Sequence, residues 1–245
     1  MAGETARTEA ICTEIRPWSR TSHIVTWLTP TGRVVTVVKG AVRPKSLFLG
    51  QYDLNYTCDI VYYLRTRGEL HALRDCAPLD SRDVLRGDYR ALVLAGYCRR
   101  LATELAPVGP DCRLWYELLG DTLSRGGSSV VELLAFELAV LRLAGLAPDF
   151  SGYDRDAEWS AFSLETGAFG EGKGRCIRVS RAVAEYLCTL ANAPAGGRLP
   201  HFIPVEPDEK KSSTPLDAAR GIGVFYQFHV DCAFEVRRAV LELIS

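Results

Sequence analysis

A chain of 245 residues with 47% hydrophobic and 24% charged content is long enough to bury a substantial core and to hold two or three subdomains. Its formal net charge of −1 means that no whole-molecule field draws it to nucleic acid, so any such attraction has to be local. No apolar run reaches bilayer-spanning length, and Met1-Ala2-Gly3-Glu4 has neither the basic start nor the apolar stretch of a signal peptide; the expected setting is the reducing cytoplasm.

Five strand-like segments open the chain: Thr8–Ile15, His23–Leu28, Arg33–Val38, Leu54–Tyr63 and Leu70–Cys76. Arg16-Pro17-Trp18-Ser19 reads as the turn after the first, and Thr31-Gly32 as the turn before the third. The third is a β-branched run, Val34-Val35-Thr36-Val37-Val38, that leads directly into Lys39, Gly40, Arg43, Pro44 and Lys45. Five short strands in a segment of this size suit a small closed barrel, in which closure removes exposed edges. The charge is asymmetric as well: before Asp75 there are ten Lys and Arg against six Asp and Glu.

The pattern then turns helical. Ser81 or Asp80 is placed to cap a helix through Tyr89, Leu92, Ala95, Tyr97 and Leu101, stopped by Pro107 and Gly109-Pro110. Asp111 starts a second through Leu114, Trp115, Leu118 and Leu123, closed by Gly126-Gly127. Ser128-Ser129 caps a third, Val130 to Leu143, apolar over most of its circumference and so central in a bundle. Ser180 begins a fourth, and a last helical run extends from Tyr226 to Ile244. Between them, Pro194 to Pro207 is rich in Gly and Pro, and Glu206 to Pro215 is polar and reads as a surface loop.

Few residues are arranged for catalysis. Gly167 to Gly174 fits GxxxxGK, but Gly174 stands where a phosphate-binding loop needs Ser or Thr, and Arg175-Cys176-Ile177 does not open a helix; a glycine-rich hairpin is the better reading. The eight cysteines and four histidines are scattered without CxxC or HxxxH spacing, so no cofactor, no metal and no catalytic residue is expected. Nucleic-acid binding has better support. Lys39, Arg43, Lys45, Arg65 and Arg67 fall on loops of one barrel, with Arg16 and Arg20 beside Trp18 in another. Cations interleaved with aromatic rings bind single strands, because each nucleotide offers a phosphate and each base a π-face. The competing reading is a solvated basic turn with its aromatics packed in the core, and it holds for at least half of those rings.

The order Thr8-Glu9-Ala10-Ile11, then Arg16 to Thr29, then Gly32 to Ser46 resembles the amino-terminal domain of the RecO family of bacterial recombination mediators. Phe136-Glu137-Leu138 through Leu143-Ala144-Gly145-Leu146-Ala147-Pro148-Asp149 resembles the end of that family's helical domain. The resemblance implies an α+β chain: a five-stranded OB-like barrel over residues 1–78, then a helical domain over 79–245 interrupted at 150–178 by a degenerate zinc-finger region. The family's four-cysteine zinc site is missing here, where Phe150-Ser151-Gly152-Tyr153-Asp154 has no cysteine and only Cys176 remains of the later pair. Trp159, Phe162 and Phe169 are candidates for an aromatic core in the metal's place.

The function so implied is non-enzymatic: single-stranded DNA binding, strand annealing, and assistance to RecA loading with RecR. A further implied partner is the acidic, phenylalanine-ended tail of single-stranded-DNA-binding protein. Where the family often has an arginine before the Phe-Glu pair this chain has Ala135, and Arg99, Arg100 or Arg142 would have to supply the charge. The rival reading is an adaptor whose barrel and helices bind proteins rather than DNA.

Overall fold

A computed structural model describes residues 4–65, 68–107, 112–170, 174–192, 214–230 and 234–245. The chain divides into two compact units, Met1–Gly126 and Gly127–Ser245. The unit division falls after the first two α-helices, whereas position 78 lies near the end of the barrel strands.

In the first unit, β1 (Thr5–Ser19), β2 (Ser22–Thr29), β3 (Gly32–Val38), β4 (Thr57–Tyr63) and β5 (Leu70–Asp80) form a closed barrel in the order β1-β2-β3-β5-β4. Every neighbouring pair is antiparallel except β3 with β5, which is parallel through Val35↔Leu70 to Val37↔Ala72. This is the Greek-key arrangement of the OB-fold. The strands β2 and β3 match the β-branched runs read from sequence to within a residue. The first strand does not: it continues through Arg16-Pro17-Trp18-Ser19, and the turn falls at Arg20-Thr21. Proline is tolerated there because beyond Ile11 the strand β1 has β2 as its partner and no longer pairs with β4, which leaves one edge of it open.

The barrel core gathers Ala10, Val25, Trp27, Val38, Ile60, Tyr62 and Leu73 with three thiols, Cys12, Cys58 and Cys76. Trp27 is fully buried, and its indole N–H donates to Thr36 Oγ1 at 2.9 Å, so its one polar atom is satisfied. Burial, and then the neighbouring Cys58, pushes the Cys12 thiol well above its ordinary range. A hydrogen bond with Cys58, and then burial, does the same to Cys76.

The helical part begins later than the sequence suggests. Arg82 adopts φ +55°, and a short 3-10 turn, Asp83–Gly87, follows it. Helix α1 (Tyr89–Leu105) is capped by Asp88, whose carboxylate accepts from the Arg90 N–H at 2.8 Å, and not by Asp80 or Ser81. Asp80 instead holds the buried Arg82 guanidinium, which also donates to Thr57 Oγ1 at 2.7 Å and to Ser124. Helix α2 (Arg113–Arg125) ends at Gly126 in the left-handed region, φ +61°. Its expected start at Asp111 lies outside the described residues, as do 193–213, where loops were expected.

In the second unit, α3 (Val130–Leu143) opens with a capping box between Ser129 and Glu132. Strands β6 (Trp159–Ser163) and β7 (Cys176–Ser180) make an antiparallel hairpin, and Ser180 caps α4 (Arg181–Ala191). The run expected from Tyr226 to Ile244 is two helices, α5 (Thr214–His229) and α6 (Phe234–Ile244). A buried ion pair ties them to α3: the Arg237 guanidinium donates to both Glu137 carboxylate oxygens, at 2.7 and 2.9 Å, and to the Ala219 carbonyl at 2.7 Å. Tyr226 donates to the Glu137 carbonyl at 2.9 Å. Gly223 lets α5 pass, since a Cβ there would meet the guanidinium 3.0 Å from its central carbon.

Among the described residues no helix is long and apolar enough to cross a membrane, and no group of three or more His, Cys, Asp or Glu is placed to hold a metal ion. Phe162 of the hairpin packs on Phe150, Phe169 and Phe225 at 5.2–5.8 Å between ring centres. Trp159 stands outside this cluster, with Arg178 over its ring at 5.3 Å.

Removing one partner of the buried pair leaves a lone charge in the core. Arg237→Met should therefore destabilise the protein by about 3–5 kcal/mol in urea unfolding. Arg237→Met combined with Glu137→Leu should recover most of that loss, and no recovery would mean that the pair's geometry matters more than its charge. Iodoacetamide near neutral pH should leave Cys12 and Cys76 of the folded protein unmodified by mass spectrometry, and labelling both in urea.

Candidate nucleic-acid interface

Two segments meet at one corner of the barrel: the β1–β2 turn and the chain that leaves β3. Gly40 turns the backbone at φ +66°, and its N–H donates to the buried Ser22 hydroxyl at 3.1 Å. Val42 N–H donates to the Thr21 carbonyl at 3.3 Å. The exit segment then coils on itself, with Arg43 N–H on the Gly40 carbonyl at 3.1 Å, Ser46 on Arg43 at 2.9 Å and Gln51 on Phe48 at 3.1 Å. Phe48 and Tyr52 pack against the barrel core, and the Tyr52 hydroxyl lies 2.8 Å from His23 Nδ1. Burial keeps that phenol strongly protonated. The cations of this segment are thus carried on an anchored scaffold, which lowers the ordering cost of meeting a row of phosphates.

Trp18 reaches the same corner by a β-bulge. Pro17 pairs with His23 and Ser19 with Ser22, so Trp18 is the extra residue between them. Bulges re-aim a side chain away from the regular pleat. Trp18 is 60% exposed, the largest apolar side chain so exposed among the described residues of this unit. A cleft of about 390 Å³ lies here, lined by Trp18, Ser19, Thr21 and Ser22 on one side and by Val37, Lys39, Gly40 and Arg43 on the other.

Charge at this corner is unspent. Among the described residues, no carboxylate stands at ion-pair distance from Arg20, Lys39, Arg43 or Lys45. Arg16, by contrast, pairs with Glu14 at 3.3 Å, and Arg7 with Asp59 at 2.6 Å. Of the expected DNA-binding residues the structure brings Trp18, Lys39 and Arg43 together. Arg16, Arg20 and Lys45 are exposed beyond the cleft lining, and Arg65 sits past β4 with its N–H 3.3 Å from His71 Nδ1. Arg67 lies outside the described residues. Sequence reasoning passed over Ser19, Thr21 and Ser22, although Ser-Arg-Thr-Ser is a recognisable turn sequence.

The three arginines considered for a protein tail fall in different units and different settings. Arg99 is half-buried and donates to the Thr13 carbonyl, fastening α1 to β1, and burial lowers its pKa. Arg100 pairs along α1 with Glu104 at 2.8 Å. Arg142 belongs to the other unit, where it donates to the Ala191 carbonyl at 2.6 Å at the end of α4. Of the GxxxxGK segment, Gly167 and Gly174 lie in the β6–β7 connection with positive φ, and Lys173 lies outside the described residues.

Residues 1–82, the span of the barrel, match the family model for the amino-terminal domain of recombination protein O. A DNA repair protein RecO of Roseiflexus is 30% identical over 145 residues, 58% of this chain and 50% of that protein. Another, from Anaeromyxobacter, is 30% identical over 135 residues, 54% of this chain and 53% of that protein. Over these spans the chain is similar to the RecO proteins. It spans about half the length of the curated relatives that it matches. The resemblance read from the strand order is borne out over the barrel.

Gly40 tests the anchoring. Gly40→Ala puts a Cβ into the left-handed region, 3.2 Å from Arg43 Cδ, and should cost about 1 kcal/mol in urea unfolding. Unchanged stability would mean that the turn is not held as described.

Proposed function

We propose that this protein is a non-enzymatic recombination mediator that binds single-stranded DNA at the β1–β2 and post-β3 corner of its barrel. The observation that carries the reading is the juxtaposition of exposed Trp18 with Lys39 and Arg43, none of whose charge is neutralised by a carboxylate among the described residues. Such cations release the counterions condensed on the phosphates, and a planar base covers the ring. Strand annealing follows from the same physics, since cations on the protein lower the repulsion between two phosphate chains. Assistance to RecA loading together with RecR, and contact with the tail of single-stranded-DNA-binding protein, extend the proposal on the strength of the family relationship.

A second reading, a protein-binding adaptor, is favoured by one observation: Val42, Leu47 and Leu49 on the same exit segment are 47%, 89% and 56% exposed. Titration of a fluorescent single-stranded oligonucleotide at several salt concentrations separates the two. The mediator reading requires affinity that falls linearly with salt on logarithmic axes, and Lys39→Ala/Arg43→Ala/Lys45→Ala should make that slope shallower by about two. Absence of binding at low salt would hand the corner to the adaptor reading.

A further inference from the structure

We infer that the Trp18 cleft receives one unstacked nucleotide of the bound strand, its base on the Trp18 ring and its phosphate against Lys39 and Arg43, and that this cleft makes the protein prefer single strands to duplex. The inference rests on the DNA-binding reading above and assigns a determinant within it.

Size is the first argument. A volume of about 390 Å³ lies at the small end of ligand sites, for which about 300–1,000 Å³ is usual, and suits one nucleotide. The second is the bulge. A regular pleat would carry residue 18 in register with β2; the extra residue between Pro17↔His23 and Ser19↔Ser22 releases it to form a wall of the cleft. A tryptophan 60% exposed on that wall is a ready stacking platform. The third is the opposite wall, where Arg43 Cδ lies 3.2 Å from the position a Gly40 Cβ would take, so the arginine stem is laid along the turn before any ligand arrives.

The polar groups left over decide how selective the cleft is. Ser22 accepts from Gly40, and the Thr21 carbonyl accepts from Val42, so both serve the fold. The Ser19 and Thr21 hydroxyls remain, and a hydroxyl serves as donor or acceptor to any base edge. The cleft therefore holds bases with little preference among them. A base paired inside duplex presents no free face to Trp18, so duplex gains from the cations alone.

Fluorescent single-stranded and duplex oligonucleotides of the same sequence and length, titrated with wild type, Trp18→Ala and Trp18→Phe across several salt concentrations, test this. Trp18→Ala should weaken single-strand binding by about five- to a hundredfold, the range spanned by base–aromatic stacking, with the salt slope and duplex affinity unchanged. Trp18→Phe should restore most of the loss. An exposed residue is removed, so an unchanged melting temperature identifies the effect as one of binding. Salt-dependent single-strand binding that Trp18→Ala leaves intact would overturn the cleft and leave the mediator reading standing, as would equal losses for duplex and single strand. Failure of the wild type to bind either oligonucleotide would overturn both.

Discussion

Everything at the candidate interface depends on one strand serving two partners. β1 pairs with β4 from Thr5 to Ile11 and with β2 from Ile11 to Ser19, so that Ile11 belongs to both ladders and closes the barrel. A strand that turns from one partner to another has to bend, and it does so at Thr13, the extra residue between Cys12 and Glu14. Its hydroxyl is buried, and donation to the Thr26 carbonyl at 3.1 Å removes the penalty of placing it there. Arg99 donates to the Thr13 carbonyl from α1, so the bend is braced from outside as well. Beyond the reach of β4 the same strand carries on alone with β2, and there the second bulge delivers Trp18. The cleft is thus the free end of the strand whose other half closes the barrel.

What could be read from the sequence divides along physical lines. The β-branched runs of β2 and β3 and the caps at Ser129 and Ser180 rest on local chemistry, and they lie where expected. Features set by distant residues were hidden. Pro17 looks like a breaker until the strand proves to have an open edge there. Asp80 looks like a helix cap until Arg82 claims its carboxylate from a left-handed backbone. The parallel β3–β5 pairing joins residues about 35 apart, and no short pattern reports it. Within the interface, Trp18, Lys39 and Arg43 were recognisable as residue types, whereas the bulge that aims the first and the hydroxyls that line the cleft were not. Arg99 shows the converse, a cation suited by type to a partner and committed by position to a backbone carbonyl.

Local charge reconciles a net charge of −1 with the proposed nucleic-acid interface. Fields between exposed groups fade over roughly 8–10 Å at physiological salt, so a distant acid does little to a phosphate held at this corner. What counts is whether the local cations are already paired. Arg7 and Arg16 are, with Asp59 and Glu14, while Lys39, Arg43 and Lys45 have no such partner among the described residues. The patch is accordingly small, and a small patch engages few phosphates.

That limit bears on how affinity is divided. Each phosphate contact contributes through counterion release and weakens as salt rises, so a handful of them gives modest binding under cellular conditions. Stacking on an aromatic ring depends little on salt and requires a free base face. At a corner with only a few cations, a single exposed tryptophan would therefore contribute a larger share of single-strand affinity than it would on a strongly basic barrel. The same division suits annealing. On the proposed reading, a ring that holds a base only while it is unpaired loses its grip once that base finds its complement, and the duplex is then held by the cations alone.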